Sequence, residues 1–392
     1  MPDARQEPRL LDTLGQDAQQ VWTDARRLGL VRSFRRTLHE LQTFYLSTPT
    51  RDRLLEMPKF RRGIYLVIWL LKSLLLKLTP TRRILLALSF VLMLQGTGVQ
   101  KLGETLSINI RFPFLGIAVL LLVLMLELKD KLVARSELEA GRSVQQALMP
   151  QSSPTIPGWD VWMFTKSAND VGGDLVDYLR LDQDRVGVVL GDVAGKGLPA
   201  ALLMAKLQST LRALASEEAS LSELGRKMNR ILCRDGLPNR FATLVYFEVN
   251  SGSGDVRLLN AGHMPPLVLH GATLDELPRG AMALGMLPDA SYAEQRVSLQ
   301  AGDVLMAFSD GLTDAVNAAD EFFGDERVRA ELWAVGQPRT QAPGGSQPAV
   351  DGPTAQQIGT HIVGVVDRFV ADQPPYDDLS LVILKRTDGS QR

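Results

Sequence analysis

The 392-residue sequence predicts an α+β protein: an antiparallel layered domain that follows a helical membrane region. Three observations carry this. Two uncharged apolar runs, Ile84–Gln100 and Phe112–Leu126, stand close together, each near the shortest length that crosses a bilayer. From Trp159 onward, strand-length apolar runs alternate with Gly, Asp and Asn corners, and hairpins group with helices instead of following a strict β-α-β order. Four of those corners are acidic, which points to chemistry at strand ends.

Taken in order, residues 1–83 form a basic, helical, cytoplasmic or interfacial region. The formal net charge of −1 divides into +8 over these residues and −9 over the rest. Such a basic segment suits an anionic membrane surface. Without aromatic interleaving or a DNA-binding motif it gives no case for nucleic acid. Amphipathic patterns run through 10–47. Ile64–Leu78 carries Lys72 and Lys77, which favours a helix lying in the interface over one crossing it. Residues 84–128 read as a two-helix transmembrane hairpin joined by Lys101–Arg111. Arg82 and Arg83 before it, and Lys129, Lys131 and Arg135 after it, place both flanks in the cytoplasm of a cell inner membrane. Residues 129–150 continue as a charged linker helix. Its apolar stripe, from Leu128 to Leu148, is an imperfect heptad that would serve a parallel homodimer through 127–149 or pack on the next domain. Pro150, Pro154 and Pro157 end it.

The globular domain spans 151–386. Strands are expected at Val161–Phe164, Leu175–Leu181, Val186–Leu190, Phe241–Val249, Val256–Asn260, Pro266–Leu269, Ala293–Leu299, Val304–Phe308 and Asp378–Leu384. Helices are expected at Leu198–Ser216, Leu221–Asp235, Asp325–Val335 and Gln356–Ala371. Residues 336–355, rich in Pro, Gly and Gln, read as a mobile insertion. The lone cysteine, Cys233, excludes an intrachain disulfide framework and sits in a helical pattern as a structural thiol.

The chemistry centres on Val171–Gly197. Folded back about Asp182–Asp184, this stretch brings Asp174 and Asp192 to one sheet end, where neighbouring glycines open the backbone to an ion. Asp310, in Phe308-Ser309-Asp310-Gly311, and the Asp377-Asp378 pair provide two further acidic strand ends. Turn aspartates are common, but four such corners in one domain favour a site for two divalent cations.

The ordered blocks VGGDLVD (171–177), GDVAGKGLPAAL (191–202), NAGHMPP (260–266), AGDVLMAFSDGLTDA (301–315) and DDLSLVIL (377–384) resemble the PPM, or protein phosphatase 2C-like, superfamily, in its SpoIIE-like branch of sigma-factor regulators. The resemblance covers about 145–386. It implies an α-β-β-α sandwich of two antiparallel sheets with two Mn²⁺ or Mg²⁺ ions and a bridging hydroxide. The implied reaction is hydrolysis of phosphoserine or phosphothreonine on a regulatory protein, of the anti-sigma-antagonist type. Carried over by position, Asp192 would bridge both metals, the Val193 carbonyl would bind one, and Asp174 would serve the second. Asp310 and Asp377 would complete the first, with Asp378 either exchanging roles with Asp377 or standing beside the ion. Asp177 reads as structural. His263 would either hold its turn or protonate the leaving oxygen, and Lys196 would either meet phosphate or stay solvated. Ser167 and Leu175-Val176 depart from the branch, which bears on substrate contacts. Two other readings compete. Gly172-Gly173-Asp174 has part of the GGDEF signature of diguanylate cyclases but lacks its glutamate, and a catalytically silent scaffold could bind a signalling partner without turnover.

Overall fold

The computed structural model describes residues 57–95, 97–102, 106–236, 240–337 and 352–388. The patterns expected over 10–47, and most of the 336–355 insertion, lie outside the described residues. The chain divides into two compact units, Met1–Leu132 and Val133–Arg392.

In the first unit, α1 (Lys59–Lys77) is followed by α2 (Pro80–Leu94), which has proline in its first turn, where a missing N–H costs nothing. A two-stranded antiparallel hairpin, β1 (Thr97–Leu102) and β2 (Leu106–Arg111), then leads into α3 (Phe112–Leu148). The first apolar run is therefore helical only to Leu94. The β-branched Thr97 and Val99 favour extended structure, Gly98 disfavours helix, and the expected loop is a β-ribbon. Helices α2 and α3 run antiparallel. Arg82 donates to Glu127 at 2.7 Å and to Asp130 at 2.6 Å, while Gly116 meets the Ser89 carbonyl so closely that an added Cβ would sit 2.7 Å from it. Among the described residues, α3 is the one helix long and apolar enough to cross a membrane.

The second unit is built on two five-stranded sheets. One has the order β10-β7-β6-β5-β4, with β4 at Leu175–Arg180, β5 at Arg185–Val193, β6 at Ala242–Asn250, β7 at Asp255–Ala261 and β10 at Glu294–Ser298. The other has the order β3-β12-β11-β8-β9, with β3 at Trp159–Lys166, β8 at Leu267–His270, β9 at Thr273–Glu276, β11 at Val304–Phe308 and β12 at Leu379–Arg386. All pairings within them are antiparallel.

The period of two along β5 shows how the layers form. Val188 and Leu190 enter the core between the sheets, against Leu305 and Val382. Val189 and Val193 face the opposite way, toward α4 (Leu198–Leu214) and α5 (Leu221–Asp235), where Met204, Leu207 and Met228 cover them. The second sheet is covered in turn by α7 (Gly324–Gly336) and α8 (Ala355–Val370), with Leu332, Ile358 and Ile362 on Met306 and Ile383. A short α6 (Asp310–Thr313) follows β11. Helix α8 begins at a reciprocal cap: Thr354 Oγ1 accepts from the Gln357 N–H, and Gln357 Oε1 accepts from the Thr354 N–H. The result is the α-β-β-α sandwich, with the four acidic corners at strand ends.

Candidate metal centre

Hairpin register decides which carboxylates meet. Asp182 Oδ1 accepts the N–H groups of Asp184 and Arg185, which closes the β4–β5 turn. Leu175 then pairs with Gly191, so Asp174 and Asp192 lie beside each other at the far end. In the second sheet, Phe308 pairs with Leu381, which brings Asp310 and Asp377-Asp378 to a common end. Ser309 fastens that end: its N–H donates to the Ser380 carbonyl and its hydroxyl to the Asp378 carbonyl, both at 3.0 Å. Gly311 is a required glycine, because an added Cβ would overlap the Asp378 carbonyl.

Two ties hold the sheet ends together. Asp378, almost fully buried, accepts from Ala168 N at 2.7 Å through one oxygen and from Gly173 N at 2.6 Å through the other. The second tie is His263. Its Nε2 lies 3.1 Å from the Phe308 carbonyl, which can only accept, so Nε2 carries the proton. Nδ1 then accepts from Thr243 Oγ1 at 2.9 Å, and Thr243 is the strand partner of Asp192. Burial lowers the His263 pKa to about 4, so the ring is neutral at pH 7 with both nitrogens engaged.

The carboxylates form one electrostatic cluster. Burial, then the charges of Asp310, Asp377 and Asp378, raise the Asp192 pKa to about 6. Burial and the Asp192 charge push Asp174 well up, and burial with Asp377 raises Asp310. Among the described residues no three of these groups close on a single point. Asp174 Oδ2 is buried and has no partner among the described residues. A Cβ at Gly173 would lie 3.1 Å from the Val193 carbonyl and 3.6 Å from Asp192 Oδ1, so glycine leaves that edge open. An unpartnered buried carboxylate oxygen, a carbonyl beside a glycine and concentrated oxygen donors fit hard divalent cations.

A family model described as Stage II sporulation protein E (SpoIIE) matches residues 182–387, more than half of the chain. The chain belongs to the SpoIIE family. It is 29% identical over 288 residues to Protein IcfG of Synechocystis sp., covering 66% of this chain and 43% of that protein. It is 27% identical over 182 residues to phosphoserine phosphatase RsbU of Bacillus subtilis, covering 46% and 54%. The chain thus spans about half the length of the curated relatives it matches. The SiaA-PP2C domain of Pseudomonas aeruginosa shares the fold with a TM-score of 0.54 at 19% identity, over 66% of this chain and 98% of that one.

The stretch matched by the SpoIIE model contains Asp192, Asp310, Asp377 and Asp378 but starts after Asp174. The remaining sequence-predicted residues separate clearly around this SpoIIE-family site. Asp177 is buried in a bidentate pair with Arg212 and also accepts from Gln208 Nε2. Lys196 Nζ stands 2.9 Å from Asp377 Oδ2 and donates to the Tyr376 carbonyl at 2.7 Å. Burial would lower its pKa, but the Asp377 carboxylate outweighs this and holds it up. Sequence reasoning missed Ser309, and also Gln145, whose buried side chain reaches the Gly172 peptide from α3. The only signal for Gln145 was an uncharged side chain in a charged helix.

Proposed function

We propose that this chain is a membrane-anchored, metal-dependent protein phosphatase that removes phosphate from phosphoserine or phosphothreonine on a regulatory protein. The observation that carries the reading is the gathering of Asp174, Asp192, Asp310 and Asp377 beside the Gly173 edge, where burial and neighbouring carboxylates raise the pKa values of Asp174, Asp192 and Asp310. Asp192, together with Asp174, Asp310, Asp377 and the Val193 carbonyl, would hold two Mn²⁺ or Mg²⁺ ions. Bound there, the ions would supply Lewis-acid charge opposite a phosphoryl group and lower the pKa of water.

The chain's own groups take the remaining tasks. Asp378 acts as a brace, since each of its oxygens already accepts a backbone N–H. Lys196 is paired with the cluster through Asp377. Half exposed, it can swing from Asp377 to the phosphate when the acidic cluster is neutralised. His263 fixes the two sheets relative to each other and offers no free nitrogen to a leaving group. A phosphorylated partner of the anti-sigma-antagonist type agrees with the likeness to RsbU, a phosphoserine phosphatase. Anchoring through α2 and α3 agrees with their exposed apolar side chains, Leu94 at 88% and Met125 at 69% among them. Exposed Leu128, Leu132 and Val144 would suit a second copy along α3.

The test is phosphate release from a phosphoserine peptide by the full chain in detergent. EDTA should abolish it and Mn²⁺ should restore it. No release with either Mn²⁺ or Mg²⁺ would leave the silent scaffold as the reading.

A further inference from the structure

We infer that Gln145 is a positioning residue for Asp174: its side-chain amide clamps the Gly172 peptide and thereby holds the loop that presents that carboxylate. The inference rests on the metal-centre reading above and adds a residue outside the four acidic corners.

Residues 167–174 connect β3 to β4 without regular structure. A loop of this kind, carrying a buried carboxylate, must find its hydrogen bonds from side chains. Three of its backbone N–H groups do so. Asp378 receives those of Ala168 and Gly173. Gln145 serves Gly172 on both sides, with Nε2 donating to the carbonyl at 2.8 Å and Oε1 accepting the N–H at 3.1 Å. This uses the geometry by which one peptide pairs with another, and it fixes both the position and the tilt of the Gly172 unit. Glycine at 172 lets the loop pack against its neighbours, because a Cβ there would crowd Asp378 Oδ2 and Ser167 Oγ.

Gln145 is itself firmly placed. It is 6% exposed, and its own carbonyl accepts from Met149 N at 3.2 Å. One turn further on, the Leu148 carbonyl accepts from Gln208 Nε2 at 2.8 Å, so the end of α3 is secured to α4. Gln208 also donates to Asp177 on β4. The Asp174 corner is thus approached from two directions: Asp378 across the sheets and Gln145 from the helix. Asp174 keeps one buried oxygen without a partner, while Ser380 and Ser309 stand by its carboxyl. The surrounding main chain therefore shares in setting its place.

Groups that orient a metal ligand without touching the ion typically change metal affinity by 10–100-fold when removed. The test compares Mn²⁺ binding by electron paramagnetic resonance in the full chain, in detergent, for wild type, Gln145→Met and Met149→Ala. Methionine keeps the length of Gln145 and removes both hydrogen bonds. Met149→Ala loosens the packing of the same helix end on its core while leaving the clamp intact. Thermal unfolding in EDTA measures stability alongside.

Gln145→Met should weaken one of two Mn²⁺ ions about tenfold and leave the other unchanged. Met149→Ala should lower thermal stability without moving either affinity. Hydrogen exchange at 168–174 should rise in Gln145→Met only. Wild-type affinity for both ions in Gln145→Met would overturn the clamp, as would equal weakening in Met149→Ala. A wild-type chain that binds fewer than two Mn²⁺ ions would instead refute the metal-centre reading, and the inference would fall with it.

Discussion

Asp192→Asn in the metal-free protein gives a stability test whose sign is set by the structure. The Asp192 pKa is raised to about 6 in the folded protein, against an ordinary value of 3.8. Between these two values the folded chain holds a proton that the unfolded chain has released. Stability therefore falls as pH rises through this window, and the loss is complete above about pH 6. At 1.36 kcal/mol per pH unit, the strain amounts to about 3 kcal/mol at neutral pH, part of it shared with Asp174. Asparagine cannot ionise, so Asp192→Asn removes that strain. His263 acts in the opposite direction, because its depressed pKa of about 4 supplies stability above its ordinary value of 6.5 that is lost as pH falls toward 4. Both proteins contain His263, so the difference between them isolates Asp192. The assay is unfolding of wild type and Asp192→Asn in EDTA at steps from pH 4 to 8. The curves should nearly coincide at pH 4 and separate with rising pH, the variant being more stable by about 3 kcal/mol at pH 7. With Mn²⁺ at a hundred times its dissociation constant, wild type should gain about 2.7 kcal/mol and the order should close or reverse. A pH-independent difference in EDTA, or a wild type more stable than the variant at pH 7 without metal, would refute the reasoning.

Three further outcomes are expected. Gly311→Ala forces a Cβ into the Asp378 carbonyl and should cost about 3 kcal/mol while weakening Mn²⁺ binding, as measured by unfolding and titration. Asp177→Ala leaves Arg212 and Gln208 without their shared acceptor and should destabilise by about 3 kcal/mol, with Mn²⁺ affinity unchanged. Reporters fused after Met57 and after Arg135 should both report cytoplasm, and one placed in the β1–β2 hairpin should report the outside; opposite locations for the first two would break the two-span reading.

Much of the fold was legible because it rests on local periodicity. The unbroken apolar run Val186–Leu190 marks a strand buried on both faces and the 3.6-residue pattern of Leu198–Ser216 a helix buried on one, and burial is what the layers satisfy. The Asp182–Asp184 turn was readable for the same reason, and with it the pairing of Asp174 with Asp192. β9 was not readable, because four mostly exposed residues carry no burial pattern, and the β1–β2 hairpin was hidden because its apolar residues continued those of α2.

From sequence alone came the antiparallel layered α+β class, the four acidic corners and the elements that carry them, because residue type and spacing encode those directly, while the α-β-β-α sandwich was what the family resemblance implied. Tertiary structure decided which partners each corner meets. Asp377 and Asp378 are adjacent and chemically identical, yet one meets Lys196 while the other is consumed by two backbone N–H groups more than 200 residues away. His263 became a neutral strut through partners on different sheets. Gln145 met Gly172, 27 positions along the chain, only once α3 had docked. Such roles depend on hydrogen-bond partners brought together by packing, and no local pattern of side chains records which distant peptide will be left needing one.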